Sequence, residues 1–162
     1  MKKLNTTLKV CALILFAVLV VSGCKKDDPD AIYTPEREAG LIKDWLAANA
    51  TMDVKTTTSG ISYIVSKVGT GVTVTTGNTV TVKYTGMFMD GSVFDSSESY
   101  TYVHKGTSSG MISGWIEGIQ LMSKGGKNTF LFPSANAYGP DRYDIIPPYS
   151  PLIFVIEVVD IK

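Results

Sequence analysis

The sequence predicts an α+β domain, an antiparallel sheet with one short helix, and three observations predict it. Apolar and polar residues alternate at period two from about Gly60 to the C-terminus. A single stretch near Ser113 breaks that alternation with helical spacing. Asp90-Gly91 stands between two short apolar runs, a pattern that closes tight antiparallel hairpins. At 162 residues the chain can bury one real hydrophobic core and is too short for two large domains.

The N-terminus is a leader rather than part of the fold. Residues 2–9 are basic and polar, Val10 to Val21 is unbroken apolar sequence, and Ser22-Gly23-Cys24 follows. That layout is a signal peptide over residues 1–23. The apolar run is shorter than the about 20 helical residues needed to cross a hydrocarbon core of ~30 Å, so a permanent span is the weaker reading. Val21-Ser22-Gly23-Cys24 resembles the lipobox of bacterial lipoproteins, which implies acylation of Cys24 by palmitate-like chains and a lipid-anchored place in the cell envelope. The implied membrane is the outer one, with the domain facing the periplasm or the exterior. An ordinary secretory leader with Cys24 incidental is the rival. Lys25-Lys26-Asp27-Asp28-Pro29-Asp30 reads as a solvated spacer, residues 24–34, between anchor and domain.

Thr34-Pro35 is an N-cap followed by proline at the first helical position, with Glu36 and Glu38 placed to complement the helix dipole. The helix runs to about Asn49, within an extension and linker covering residues 35–59. Leu41, Ile42, Trp45 and Leu46 share one face, a stripe suited to packing on the domain. The helix is too short for the long-helix dimerisation of some two-domain proteins, and a monomer is expected.

The domain proper occupies residues 60–162. Its strands are Ile61 to Val65, Val80 to Tyr84, the hairpin arms about Asp90-Gly91, Tyr100 to His104, Lys127 to Phe132 and Leu152 to Ile161, with a turn at Gly77-Asn78. The helix between them is capped by Ser113, turns Trp115, Ile119 and Met122 to one face, and is stopped by Gly125-Gly126.

Composition removes several chemistries. The two cysteines are Cys11 and Cys24, so nothing beyond Lys25 carries a thiol for a disulfide, zinc cluster or nucleophile. The one histidine, His104, has no second imidazole with which to hold a metal, and no cofactor is expected. Lys2, Lys3 and Lys9 are three of the 15 basic residues, so loss of the leader leaves 12 against 15 acidic. A mildly acidic body without a basic stripe argues against nucleic acid as a partner. No Gly-x-Ser-x-Gly elbow supports a hydrolase triad, and Gly69-Thr70-Gly71 is a turn, not a nucleotide loop.

What remains is a concentration of aromatics beside few ionisable groups, the material of a greasy cavity with one or two polar handles. Five ordered strings carry it: Val82 to Met87 with Asp90 to Ser97; Gly114-Trp115-Ile116-Glu117-Gly118; Ala137-Tyr138-Gly139; Ile145-Ile146-Pro147-Pro148; and Leu152 to Val158. From about Gly60 to Lys162 the sequence closely resembles the FKBP (FK506-binding-protein) family of peptidyl-prolyl cis-trans isomerases. The resemblance implies a twisted sheet wrapped around one short helix. It implies that Tyr84, Phe94, Trp115 and Phe154 wall a proline pocket, that Met111 and Ile112 meet the bound peptide through their backbone, and that Tyr100 stands where phenylalanine is usual. Ile145 and Ile146 would belong to a loop overhanging the site. Asp95, a buried carboxylate in the family, and Tyr138 would be the polar, catalytic handles.

Each assignment has a plainer rival. Aromatics alternating on strands are ordinarily core, an aspartate after a hairpin ordinarily accepts backbone hydrogen bonds, and a lone tyrosine is ordinarily surface. The sequence also departs from the family's pattern: no arginine follows Ser97, the segment from His104 to Gly110 is longer and more polar, and Pro140 to Asp144 is neither glycine-rich nor histidine-containing. These changes fall on the rim, where they bear on peptide preference and on macrolide (FK506-like) binding. The expected function is isomerisation of X-Pro bonds in exported or envelope polypeptides. The alternatives are an FKBP-shaped chaperone or peptide-binding module with little turnover, and a structural lipoprotein.

Overall fold

The computed structural model describes residues 29–108 and 110–162; the leader, Cys24 and the start of the spacer lie outside the described residues. Six strands form one antiparallel sheet: β1 Val54–Thr56, β2 Ser62–Lys67, β3 Thr79–Met87, β4 Val93–Val103, β5 Lys127–Phe132 and β6 Leu152–Ile161, in the order β1-β2-β5-β6-β3-β4. Helix α1 (Pro35–Ala48) precedes the sheet, and α2 (Ser113–Gln120) lies against it. This is the predicted α+β architecture with a helical extension. Among the described residues no helix is long and apolar enough to cross a membrane.

The period-two segments place one face of each central strand in the core. Val80 and Val82 of β3, Phe130 and Phe132 of β5, and Leu152, Phe154, Ile156 and Val158 of β6 are buried. From α2 and its exit, Trp115, Ile119 and Met122 close over them. Burial of these side chains at about 25 cal/mol per Å² is the main term holding the layers together. The helix comes very close to the sheet because it meets β5 through glycine. A Cβ on Gly114 would sit 2.7 Å from Phe132 Cγ, and one on Gly118 would sit 3.1 Å from Phe130 Cε1.

Several elements differ in detail from expectation. The two segments read separately around Asp95 to Ser99 are one strand, β4, which pairs with β3 along its length as the sheet's edge. The polar run shows no alternation because most of that strand is exposed. Strand β1, within the stretch read as linker, is three residues long and too short to carry a period. Ser113 opens α2 without making a capping bond; Ile112 occupies the N-cap position. The helix stops at Gln120, and the glycines serve the sheet instead. Gly125 N–H donates to the Val158 carbonyl at 2.7 Å, and Val158 N–H donates to the Gly126 carbonyl at 2.9 Å.

Helix α1 begins as its sequence dictates. Thr34 is extended, and its hydroxyl accepts from Arg37 N–H at 3.2 Å. Its apolar stripe, Leu41, Ile42, Trp45 and Leu46, is only half-buried, so the helix is held as much by polar contacts. The Glu38 carboxylate accepts from the Ser134 backbone N–H at 2.5 Å and its hydroxyl at 2.7 Å.

His104 is fully buried. Its Nε2 pairs with Gln120 at 2.8 Å, while Nδ1 has no partner among the described residues. Burial without a counter-charge pushes the imidazole below its ordinary pKa.

Two outcomes follow from this packing. Gly114→Ala forces a methyl into the Phe132 ring and the Asn136 carbonyl, and overpacking of this kind costs about 1–3 kcal/mol, read as a lower urea midpoint. With the folded pKa of His104 depressed, the unfolded chain binds the proton more readily. Stability is therefore full above the unfolded value of ~6.5 and declines as pH falls below it. Urea titrations between pH 7.5 and 5 in the wild type and in His104→Leu should show a shallower decline in the variant; equal slopes would contradict the assignment.

Candidate active site

Seating α2 on two glycines lowers Trp115 into the sheet, and the site is built around that indole. Trp115 is 4% exposed, and its Nε1–H donates to the Tyr102 hydroxyl at 2.8 Å, which fixes the ring's rotation. Tyr84 from β3 meets it edge-on, with centroids 5.2 Å apart, and Phe154 from β6 does so at 5.7 Å. Edge-to-face contacts at these distances add about 0.5–1.5 kcal/mol per pair beyond area burial, so the rings hold one another in place. Tyr100 from β4 stands edge-on to Tyr84 at 6.1 Å.

These rings enclose a hollow of ≈ 270 Å³. Its walls are completed by Gly110, Met111 and Ile112 before α2, by Asp95, and by Tyr138 and Tyr143 from the loop ahead of β6. The structure thus brings together eight of the residues singled out in the sequence: Tyr84, Asp95, Tyr100, Met111, Ile112, Trp115, Tyr138 and Phe154.

Three others stand elsewhere. Met87 pairs with Val93 and Gly86 with Asp95, so Phe94 is the extra residue of a β-bulge. The bulge sends its ring behind Phe154, at 5.6 Å, and against Phe88, at 5.1 Å. Only glycine fits beneath it, since a Cβ on Gly86 would lie 2.7 Å from Phe94 Cζ. Ile146 is 4% exposed and belongs to the core, whereas Ile145 is 57% exposed and faces a second cleft of ≈ 450 Å³ with Leu41 and Phe88. Tyr143 escaped sequence reading because it lies in an aperiodic loop that departs from the family's pattern; a second aromatic ring five residues after Tyr138 was its one signal.

The polar edge is Asp95, Tyr84 and Tyr138. The Tyr84 hydroxyl donates to Asp95 Oδ2 at 2.7 Å. Burial, then the bond to Asp95, raises the Tyr84 pKa far above its ordinary value. Burial first, then Tyr143 and Asp95, raises that of Tyr138 as well. Both phenols are hydrogen-bond donors at neutral pH, as an ordinary tyrosine is, and the upward shifts extend that state to higher pH. The Tyr138 hydroxyl has no partner among the described residues and is available to a ligand. Asp95 is exposed rather than buried, and no cation pairs with it among the described residues. No trio of His, Cys, Asp or Glu placed to hold a metal occurs among the described residues.

Comparisons with known proteins agree on one family. The family model described as FKBP-type peptidyl-prolyl cis-trans isomerase matches residues 71–159. The FKBP-type peptidyl-prolyl cis-trans isomerase FkpA of Aeromonas hydrophila is 38% identical over 138 residues, which cover 85% of this chain and 50% of that protein. The crystal structure of FkpA from Escherichia coli superposes with a TM-score of 0.69 and 35% identity, covering 78% of this chain and 60% of that one. A peptidyl-prolyl cis-trans isomerase structure from Pseudomonas syringae pv. tomato gives a TM-score of 0.67 and 30% identity, covering 80% of this chain and 96% of that one. The chain spans about half the length of the curated relatives it matches. With a family model matched over more than half of its length and the same sheet-and-helix architecture in the solved relatives, the chain belongs to the FKBP-type peptidyl-prolyl cis-trans isomerase family.

Proposed function

We propose that this chain catalyses cis-trans isomerisation of X-Pro bonds in polypeptides of the cell envelope, by noncovalent binding in the aromatic hollow. The observation that carries the reading is the convergence of Tyr84, Trp115 and Phe154 on one ≈ 270 Å³ space with Asp95 and Tyr138 at its edge. Family membership supports it independently.

The chemistry asks for no nucleophile. Rotation about a peptide bond faces a barrier of ~18–20 kcal/mol because amide resonance is lost on twisting. An X-Pro bond in water takes tens to hundreds of seconds at about 25 °C. The twisted amide has less charge separation than the planar one. A dry apolar hollow thus favours the twisted form over the planar, and interactions stronger in the transition state than in the ground state are those that accelerate.

In this reading the prolyl ring rests on Trp115 between Tyr84 and Phe154, with Phe94 supporting Phe154 from behind. The Tyr138 hydroxyl and the Ile112 backbone N–H donate to carbonyls of the bound peptide. Met111 and Tyr100 line the approach. Asp95, bonded to Tyr84, holds that wall and sets the field beside the rotating carbonyl. Ile145 and Ile146 act at one remove, through the shape of the loop that presents Tyr143. An exposed carboxylate without a cation disfavours an acidic residue before proline and favours an apolar one. The same hollow would admit a macrolide of the FK506 kind.

The full protein works as a monomer held to a bacterial membrane through lipid on Cys24. The signal-like leader and the small-small-Cys sequence support that placement.

Isomerisation of Leu-Pro and Glu-Pro tetrapeptides is the measurement for the site. Phe94→Ala, Asp95→Leu and Tyr138→Phe should each lower kcat/KM by about ten-fold or more, the scale of losing a packed wall or a transition-state hydrogen bond, and Leu-Pro should outpace Glu-Pro. Unchanged rates in all three variants would overturn the assignment, and peptide binding with background turnover would favour a holding module instead. For the anchor, cells given labelled palmitate should label the wild type and leave Cys24→Ser unlabelled and absent from the membrane fraction.

A further inference from the structure

Tyr143 has no part in the reading of the hollow drawn from family resemblance, yet its ring is one of the hollow's walls. It stacks on Tyr138 with centroids 4.5 Å and planes 22° apart, the closest ring pair described. Tyr143 is 59% exposed, so it contributes little to the core. The loop that carries it is closed on both sides. Tyr143 N–H donates to the Ile146 carbonyl at 3.0 Å and Ile146 N–H returns to the Tyr143 carbonyl at 2.9 Å. The turn between them passes through Asp144, whose φ of 52° lies in the left-handed region that aspartate tolerates. On the other flank, Arg142 grips the Asp30 carboxylate with two nitrogens, Nε standing 2.9 Å from Oδ2 and Nη2 contacting Oδ1. Asp30 precedes α1 and lies outside residues 71–159, the stretch that the family model matches.

We propose that Tyr143 is a positioning residue that holds the Tyr138 phenol over the hollow, and that the Asp30–Arg142 pair fastens its loop, making the segment before α1 a working part of the site. The proposal rests on the isomerase reading above. Tyr138 is backed by no other ring, and its hydroxyl is unbonded among the described residues. The backbone around it is already tied, Gly139 N–H to the Ser134 carbonyl at 2.9 Å and Tyr149 N–H to the Gly139 carbonyl at 3.1 Å. What is left free is the swing of the ring about its own side-chain torsions, and a stacked neighbour removes that freedom before a peptide arrives. A donor ordered in advance loses less entropy on binding and meets its carbonyl in the reactive geometry. The fork of Arg142 suits this task, since a planar guanidinium on a carboxylate restrains orientation as well as distance.

The test is a double-variant cycle on the full chain, purified in detergent, with kcat/KM for a Leu-Pro tetrapeptide and the urea midpoint both recorded. Tyr143→Ala should lower kcat/KM by about two- to ten-fold, the range of one stacked pair, with the midpoint little changed. Tyr143→Phe, which keeps the ring, should restore the rate. In a Tyr138→Phe background Tyr143→Ala should have no further effect, because the group it positions is gone. Asp30→Ala and Arg142→Ala should each give a smaller loss that disappears in the Tyr143→Ala background. Equal losses from Tyr143→Ala in both backgrounds, or no recovery in Tyr143→Phe, would overturn the positioning role, and a silent Asp30→Ala would overturn the fastening. If the wild type turns over peptide but Tyr138→Phe is silent, the positioning role falls while the isomerase reading stands. If the wild type does not turn over peptide, the isomerase reading falls, and the same cycle in a Trp45→Phe background, read as peptide Kd from Trp115 fluorescence, decides whether Tyr143 orders Tyr138 for binding.

Discussion

The close contact of helix α2 with strand β5 is the constraint on which the rest of the structure depends. With hydrogen in place of a side chain at Gly114 and Gly118, the helix backbone reaches the Phe132 and Phe130 rings directly. Trp115, one residue along, is thereby pressed between Tyr84 and Phe154 instead of lying above the sheet. A bulkier residue at either glycine would raise the helix and the indole with it. The hollow exists because its floor is set this low.

Around that floor, the molecule separates apolar and polar work. Trp115 and Phe154 come from the core side and are nearly inaccessible, so the base of the hollow is formed by aromatic faces packed into the core. Asp95, Tyr84 and Tyr138 meet it at the edge, where a carboxylate can remain solvated while a phenol is partly withdrawn from water. The phenols are donors at neutral pH as any tyrosine is, and burial, with Asp95 reinforcing it, extends that state to higher pH. The division suits the proposed amide rotation, which would gain from a poorly solvating surface under the proline and would still require directed hydrogen bonds on either side of it.

The segment before the sheet is less separate than its sequence suggests. Glu38 reaches Ser134, and Asp30 reaches Arg142, so two contacts tie the extension to the stretch that carries Tyr138 and Tyr143. Neither could be read from the chain, because the partners are about a hundred residues apart and each lies in or beside a loop with no period. Local signals, by contrast, were plain: the Thr34-Pro35 start of α1 and the alternation of β6 are both found where the residues place them.

The sequence by itself determined the fold class, the strands with a buried face, the ring-bearing strings and their order. Those depend on the spacing of apolar residues, on proline and glycine, and on short ordered motifs that survive without coordinates. Only the tertiary structure decided which way each ring finally points. A bulge in β4 turned Phe94 behind Phe154, a tight turn buried Ile146 and exposed Ile145, and a loop brought Tyr143 onto Tyr138. The physical reason is that periodicity assigns a residue to a face only while the backbone is regular, and bulges and loops rotate the chain by amounts that long-range packing sets.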